Sequence, residues 1–507
     1  MQLLLARIAI LLQLPALCHL WHVYDPSSKL EGCPAEHTRP ASSGFRDYFR
    51  LWPDLISAHD RAGGEVAYKF YEAMDVIYRH QHPSDCSNAK FLITEGFASG
   101  FGSEIHLEGF ALALAMASGR ILLPRPNQMN EHRFHINDQA CSTMAESRPL
   151  DINSLHPSGD SYSNIWNKRL VSGNNSFTTT GCYYEAYTNC SLVIEGRPRL
   201  FKSTEEEMKY FVKTGSLPES FGGTFRGQRV MRLMPGIHLE FKMIVPQKIL
   251  ALFTDRSSNC NVKFRPTALT TEQFGLARYN NPVARYYWRA VSSAYIMRPN
   301  KFTREQIHKY SDSKMDALNG NCVSMYIRHG DKGREMRLMS FRQYADVARS
   351  LYEKKLVPNT GGSTESKFIG TIYLATDNKS VLAEALEWGK KNRFDIKFSV
   401  LLPDVLSYAG VGYGPGTVKF HPRREGYAHH PLEYLSVLVN LNDMMKCGAY
   451  VCTLASNFCR LLDELRATIG GKAQAVFADI GSSCNNGGKP CLNGESWNGE
   501  GHKDWEW

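Results

Sequence analysis

The chain has 507 residues, 43% hydrophobic and 21% charged, which is enough for two or three domains with full cores and excludes a disordered or fibrous polypeptide. Its net charge of +9 comes from 59 Lys+Arg against 50 Asp+Glu spread along the chain. That excess permits an anionic ligand, while the lack of any basic run with interleaved aromatics argues against nucleic acid as a partner.

The chain opens on Arg7 followed by the apolar run Ile8 to Leu17, with Ala16-Leu17-Cys18 offering small residues for cleavage. Gln13 and Pro15 interrupt the run, and it is short for a spanning helix. Residues 1–21 therefore read as a signal peptide or a short signal-anchor, and the chain meets a membrane only if that segment is retained. Setting Cys18 aside, twelve of the thirteen cysteines remain, an even count that suits an oxidising compartment. The expected location is the secretory pathway, in the Golgi lumen or secreted. Cys452 with Cys459, and Cys484 with Cys491, are the pairs expected from spacing. No tight Cys-x-x-Cys pairs suggest zinc. Asn174-Asn175-Ser176 and Asn378-Lys379-Ser380 have the form of glycosylation sequons, as does Asn189-Cys190-Ser191 more loosely.

Residues 22–318 read as an N-terminal α/β domain with a helical lead-in that includes Glu65 to Tyr78. Phe91-Leu92-Ile93-Thr94 is a buried strand, followed by a glycine-rich turn over Gly96 to Ser103. Leu107, Phe110, Ala111, Leu114 and Ala115 then recur at helical spacing up to Gly119, a fitting residue just past a helix end. Ile121-Leu122-Leu123-Pro124 completes a βαβ unit. Residues 126 to about 230 read as polar loops over a core, and residues 236 to 318 as mostly helical. Asn319-Gly320-Asn321 is a turn and the expected domain boundary. Residues 319–480 form a second, Rossmann-like α/β domain, and 481–507 a flexible Gly/Asn-rich tail.

Three strand ends in that second domain carry polar residues. Val323, Met325 and Ile327 alternate with Ser324 and Tyr326, a short strand that ends in Arg328-His329-Gly330-Asp331-Lys332. An arginine fork with a lysine at the carboxyl edge of a strand suits a pyrophosphate. The plainer reading is a surface ion pair among Arg328, Asp331, Lys332 and Glu335. The strand Ile372 to Thr376 ends in Asp377, placed for a ribose hydroxyl or a base edge, or simply for a turn. Tyr450-Val451-Cys452-Thr453 is followed by Ser456 and Asn457, which stand before the stripe Phe458, Leu461, Leu462, Leu465. Either residue suits an N-cap or a phosphate at the helix start. The Gly100-Phe101-Gly102 turn offers backbone amides to a base or phosphate, or is no more than a tight turn. Three such edges in order indicate a nucleotide-sugar site. No Asp-x-Asp occurs in the chain, so cations of the protein, rather than a metal ion, are expected to neutralise a departing diphosphate.

These blocks together resemble the fucosyltransferases that use GDP-fucose, most closely the α-1,6 (core) family. Asp85-Cys86-Ser87-Asn88-Ala89-Lys90, the glycine turn and His106 are similar to that family's segment before its first helix. Tyr287-Trp288-Arg289 through Ile296-Met297-Arg298-Pro299 resembles the helix and Arg-Pro before its nucleotide domain. Ile327 to Lys332 resembles its Arg-Arg-x-Asp-Lys motif, and Tyr373 to Asp377 and Val451 to Arg460 its next two motifs. The resemblance implies a GT-B-like fold of two facing α/β domains and an inverting transfer to a glycan or glycoprotein without a metal cofactor. It implies that Arg328 and Lys332 contact the diphosphate of GDP-fucose, with Asp331 in the same motif. Asp377, Asn378 and Gly100 to Gly102 would hold the nucleoside, Ser456 and Asn457 would meet phosphate, and Glu335 would be the base. The chain departs from the family at His329, Asn378 and Asn440, and in a motif-to-glutamate spacing one residue shorter. It also lacks the family's cysteines in the glycine turn, its coiled-coil stem and its SH3 domain. Two other readings stand beside this one. Arg328-His329-Gly330 is the triplet of histidine phosphatases, and the substitutions are also those of a secreted GDP- or carbohydrate-binding protein without catalysis.

Overall fold

The computed structural model describes residues 70–94, 101–123, 169–172, 183–194, 200–201, 227–233, 245–246, 248–249, 282–329, 338–357, 368–401, 431–472, 475–480 and 491–492. Among them the order is α1 (Phe70–Gln81), β1 (Phe91–Thr94), α2 (Phe101–Ala117), β2 (Ile121–Leu123), β3 (Arg169–Ser172), β4 (Ser191–Ile194), β5 (Leu200–Phe201) and β6 (Val230–Leu233). There follow α3 (Pro282–Ile296), α4 (Lys301–Tyr310), α5 (Ser313–Ala317), β7 (Val323–Ile327), α6 (Phe341–Glu353), β8 (Gly370–Thr376), α7 (Lys379–Asn392) and β9 (Phe394–Lys397). Last come α8 (Pro431–Lys446), β10 (Ala449–Cys452), α9 (Asn457–Ala467), β11 (Val476–Asp479) and β12 (Cys491–Leu492).

Two parallel sheets organise the chain. The first has the order β2-β1-β6-β5, with every neighbouring pair parallel. β1, α2 and β2 are the βαβ unit expected from the apolar spacing, and Gly119 closes α2 with a φ of +64°, a conformation that glycine adopts without strain. The second has the order β12-β11-β10-β7-β8-β9 and is parallel except for β12. From β7 the chain steps outward through β8 to β9, then returns to β10 on the other side of β7 and moves on to β11. The strand order therefore reverses between β7 and β10, the arrangement of a Rossmann-like sheet.

The alternation along β7 and β8 separates two faces. Val323, Met325, Ile327, Ile372 and Leu374 pack with Phe341, Tyr344 and Leu351 of α6 and Val381 of α7. On the other face Tyr373, Ala375, Tyr450 and Phe477 join α8, α9, α3 and α2 in a core that continues to Leu92, Leu122 and Met231 of the first sheet. The helices α2, α3 and α9 thus form the layer through which one sheet meets the other.

Three expectations from sequence are corrected here. Residues 126 to 230 contain β3, β4 and β5, and β6 begins at Val230, next to β1 in the sheet. These strands are two to four residues long, and Arg169 and Arg232 interrupt their apolar character, so no period of two is visible. The turn expected over Gly96 to Ser103 gives way to helix at Phe101, so Phe101 and Gly102 stand in the first turn of α2. The tail expected to be flexible returns Cys491 and Leu492 to the sheet, antiparallel to Asp479 and Ala478. Disulfides join Cys86 to Cys190, Cys322 to Cys447 and Cys452 to Cys459, the last as expected from spacing. Cys484 lies outside the described residues. No helix among the described residues is long and apolar enough to cross a membrane.

Candidate functional site

The switch between β7 and β10 gathers several of the residues singled out in the sequence. Ile327 pairs with Thr376 at the carboxyl ends of β7 and β8, which brings Arg328 and Asp377 side by side. Arg328 Nη1 donates to Asp377 Oδ2, and the His329 backbone N–H donates to Asp377 Oδ1 at 2.9 Å. The Asp377 carboxylate therefore fastens the end of β7 to the end of β8. Both members of the ion pair are about one fifth exposed, which leaves the pair open to solvent or ligand on one side. Asp377 is thus a partner of Arg328, whereas the ordinary ion pair with Asp331 or Glu335 that the sequence suggested falls outside the described residues. Thr376 Oγ1 donates to the Ile327 carbonyl at 2.8 Å, tightening the same corner. The His329 ring is used as a tether, with Nε2 donating to the Met339 carbonyl just before α6 at 2.7 Å.

Asn378 has the N-cap role. Its Oδ1 accepts from the Ser380 N–H at 2.8 Å and the Ser380 hydroxyl at 2.6 Å, which opens α7. Asn440, within α8, accepts from the Tyr373 hydroxyl at 3.1 Å and donates to Ser436 at 3.3 Å, and is buried.

Ser456 stands at the N-cap of α9, but its side chain makes no capping hydrogen bond, and the residue is buried. Asn457 Nδ2 donates to Ser103 Oγ of α2 at 2.5 Å, while its Oδ1 accepts from Arg460 Nη1 at 3.1 Å. Both ends of the Asn457 amide are engaged within the protein. Gly102 explains itself at this junction. A Cβ there would stand 2.5 Å from the Asn457 carbonyl oxygen and 2.8 Å from the Phe458 nitrogen, so only glycine lets the starts of α2 and α9 meet. Two helix N-termini, each with backbone N–H groups that the helix itself does not pair and a positive partial charge, come together here beside the strand switch. Phe101 is buried in the same turn. Tyr326, next to the end of β7, lies against Phe458 with ring centroids 4.1 Å apart.

The structure adds Thr453, which sequence reasoning passed over. Its hydroxyl, just past β10, is fully buried and has no hydrogen-bond partner among the described residues, a cost of about 1–3 kcal/mol if nothing else serves it. Gly100, Asp331, Lys332 and Glu335 lie outside the described residues. Among the described residues no group of three or more His, Cys, Asp or Glu side chains is placed to hold a metal ion.

Behind the switch lies a buried charge cluster in which His106 and Arg289, both within the blocks that resemble the family, meet Glu464, which no motif included. Arg289 Nη2 of α3 stands 2.6 Å from Glu464 Oε1 of α9, and Ser293 Oγ donates to Glu464 Oε2 at 2.9 Å. His106 Nε2 of α2 is 3.1 Å from the same oxygen. Burial drives the His106 imidazole towards its neutral form and the Arg289 guanidinium adds to that, against the pull of Glu464, so its pKa is lowered. Burial alone would push the Glu464 carboxyl up, but Arg289 and His106 outweigh it and hold it below the ordinary carboxylate value. The preceding residue, Asp463, pairs with Arg466 and accepts from the Tyr286 hydroxyl at 2.8 Å. A sequence signal exists only in hindsight. Arg460, Asp463, Glu464 and Arg466 lie between the apolar residues of α9, where a helix on a protein surface would show its solvated face.

A separate cleft of ≈ 710 Å³ lies between α1 and the amino ends of β1 and β2, lined by Asp75, Arg79, His80, Lys90 and Lys248 among others. It stands at the opposite end of the first sheet from the edge at which parallel strands usually meet ligands.

No protein-family model matches the sequence, and no curated protein matches it. The fold is similar to solved structures of fucosyltransferases. One is a mutant of Arabidopsis thaliana FUT1 in complex with GDP, with a TM-score of 0.38 and 9% identity over 88% of this chain and 80% of that one. Another is the NodZ α-1,6-fucosyltransferase soaked with GDP-fucose, with a TM-score of 0.37 and 11% identity over 80% of this chain and 99% of that one. A further NodZ structure, from Bradyrhizobium, has a TM-score of 0.36 at the same identity and coverage. At such TM-scores and identities the likeness assigns no function, and the α/β architecture rests on the strand pairing itself.

Proposed function

We propose that this chain transfers fucose from GDP-fucose to a hydroxyl of a glycan or glycoprotein, with inversion and without a metal cofactor, in the secretory pathway. The observation that carries the reading is the part-exposed Arg328–Asp377 pair at the reversal of strand order, beside two helix N-termini. An arginine and helix-start amides are groups that receive a diphosphate. The ordered motifs that resemble the GDP-fucose family supply the rest of the substrate, and they make α-1,6 transfer to N-glycans the linkage to test first. A GT-B-like pair of domains divided near residue 319 belongs to the same reading, as does a location in the Golgi lumen or outside the cell.

In that reaction the acceptor oxygen attacks the anomeric carbon of fucose as the bond from that carbon to the phosphate oxygen breaks. GDP departs with the electron pair, and Arg328, with Lys332 from the same motif, offsets its growing charge. The acceptor proton passes to a carboxylate base, which the family resemblance assigns to Glu335. That role needs a raised carboxyl pKa.

The test is GDP release from GDP-fucose by the purified chain with a mixed glycan acceptor pool, no added metal, and Arg328→Ala as control. Acceptor-dependent release that the substitution abolishes supports the transferase. GDP binding with no release under any acceptor turns the reading to a binding protein. No GDP binding at all removes the donor assignment. Release of inorganic phosphate from a phosphomonoester that ends on His329→Arg would indicate a phosphatase instead.

A further inference from the structure

We propose that Arg460 is a positioning residue of this site, which fixes the segment 453–458 so that the start of α9 is held in place for a nucleoside diphosphate. The inference rests on the donor reading above and adds to it a residue that touches no substrate.

Arg460 stands in the first turn of α9 and is only 3% exposed. Its Nε donates to the Leu454 carbonyl at 2.6 Å, and its Nη1 donates to Asn457 Oδ1 at 3.1 Å. An arginine is donor-only, so the second bond sets which end of the Asn457 amide faces it, and the other end is directed to Ser103 of α2. One guanidinium thereby ties the turn after β10 to the helix start, and through Asn457 to the helix of the other sheet. The Cys452–Cys459 disulfide closes the same seven-residue interval covalently. The position is a poor one for a cation on grounds of helix stability, because charge in the first turn opposes the helix dipole by about 0.3–1 kcal/mol. An anion at the switch point reverses the sign of that interaction. A lysine has the charge but not the planar fork, so it is not able to reproduce both bonds from one place.

The experiment compares the full chain with Arg460→Lys and Arg460→Met. Amide hydrogen exchange of 453–458 is followed without ligand, and GDP affinity is measured by calorimetry at low and high salt. The expected result is that Arg460→Lys exchanges those amides about tenfold faster than wild type while α6 is unchanged, an opening confined to the segment. Its GDP affinity falls about tenfold at both salt concentrations, because geometry rather than charge has been lost. Wild-type exchange and affinity in Arg460→Lys would overturn the proposal, as would a loosened segment with undiminished GDP affinity. An affinity lost in Arg460→Met alone, and only at low salt, would overturn positioning in favour of bare charge. Should both variants fail to fold, Ser103→Ala loosens the far end of the same chain of bonds and is read by the same exchange and affinity. A wild-type chain that binds no GDP fails the donor reading and with it the diphosphate role, while the exchange of 453–458 still decides whether Arg460 holds the segment.

Discussion

Replacing Glu464 with Gln keeps the shape of the side chain and removes its charge. Arg289, 8% exposed at its side chain, then loses the carboxylate 2.6 Å away that neutralises it. The Ser293 hydroxyl still finds an oxygen acceptor, so the loss is mainly electrostatic. Breaking one partner of a buried pair costs about 3–5 kcal/mol, because the remaining charge stays out of water. A folded domain holds only about 5–15 kcal/mol in all, so Glu464→Gln is expected to remove about a fifth or more of the stability. Urea denaturation reads this as a fall in the midpoint at an unchanged slope. Pairing the change with Arg289→Met removes the stranded cation, and the double variant is expected to recover at least half of the loss, which a double-mutant cycle measures directly. The contribution depends on pH in a defined sense. The folded-state pKa of Glu464 is lowered, so its stabilisation is complete above the ordinary carboxylate value and fades as pH falls through the folded value. A Glu464→Gln midpoint within about 1 kcal/mol of wild type, or a cycle with no coupling, would refute the argument that the pair is buried and closely coupled.

Gly102→Ala sets a methyl 2.5 Å from the Asn457 carbonyl oxygen, and backbone on both sides must yield. The expected cost is about 1–3 kcal/mol with a weaker GDP affinity, read by thermal melting and calorimetry, whereas Gly227→Ala, at an open position, serves as the silent control. Replacing Cys452 and Cys459 together by Ser opens a short covalent loop and is expected to lower stability by about 2.5 kcal/mol on chain-entropy grounds, measured against wild type by denaturant titration. Acid is expected to destabilise the fold through its buried histidines. His82 is held down at about 4 by burial and by the Arg298 cation, and burial also lowers His80 and His106. These rings take up protons in the unfolded chain first, so stability falls as pH drops below about 6.5, for His82 as far as about 4 and by up to about 1.4 kcal/mol per pH unit. His82→Phe, which retains a ring against Tyr78, should flatten the pH profile of the unfolding midpoint; an unaltered slope would count against the assignment.

Some of this was legible in the sequence because it is written in short-range patterns. The alternation of Val323, Met325 and Ile327 predicts a strand, and the spacing of Leu107, Phe110, Ala111 and Leu114 predicts a helix closed by Gly119. The polar residues at the ends of β7, β8 and β10 stand out for the same reason, since an apolar run stops where they begin. Those signals need no knowledge of what lies across the core. β5 and β6 escaped because strands of two and four residues with a buried Arg232 carry no readable period, and only the pairing of β6 to β1 and of β5 to β6 makes them strands.

What tertiary structure alone decided is the company each residue has. The sequence makes Asp377 and Asn457 look like hydrogen-bonding groups for a nucleotide. The fold directs Asp377 to Arg328 and His329, and Asn457 to Ser103 and Arg460. In α9 the charges read as a solvated face, yet packing between α2, α3 and the second sheet buries them, and burial makes their pairing obligatory. Ser103 and Asn457, and His106 and Glu464, are each more than three hundred residues apart. Local propensity acts over a few residues, so contacts at that separation are fixed only when the two sheets close on the helices between them.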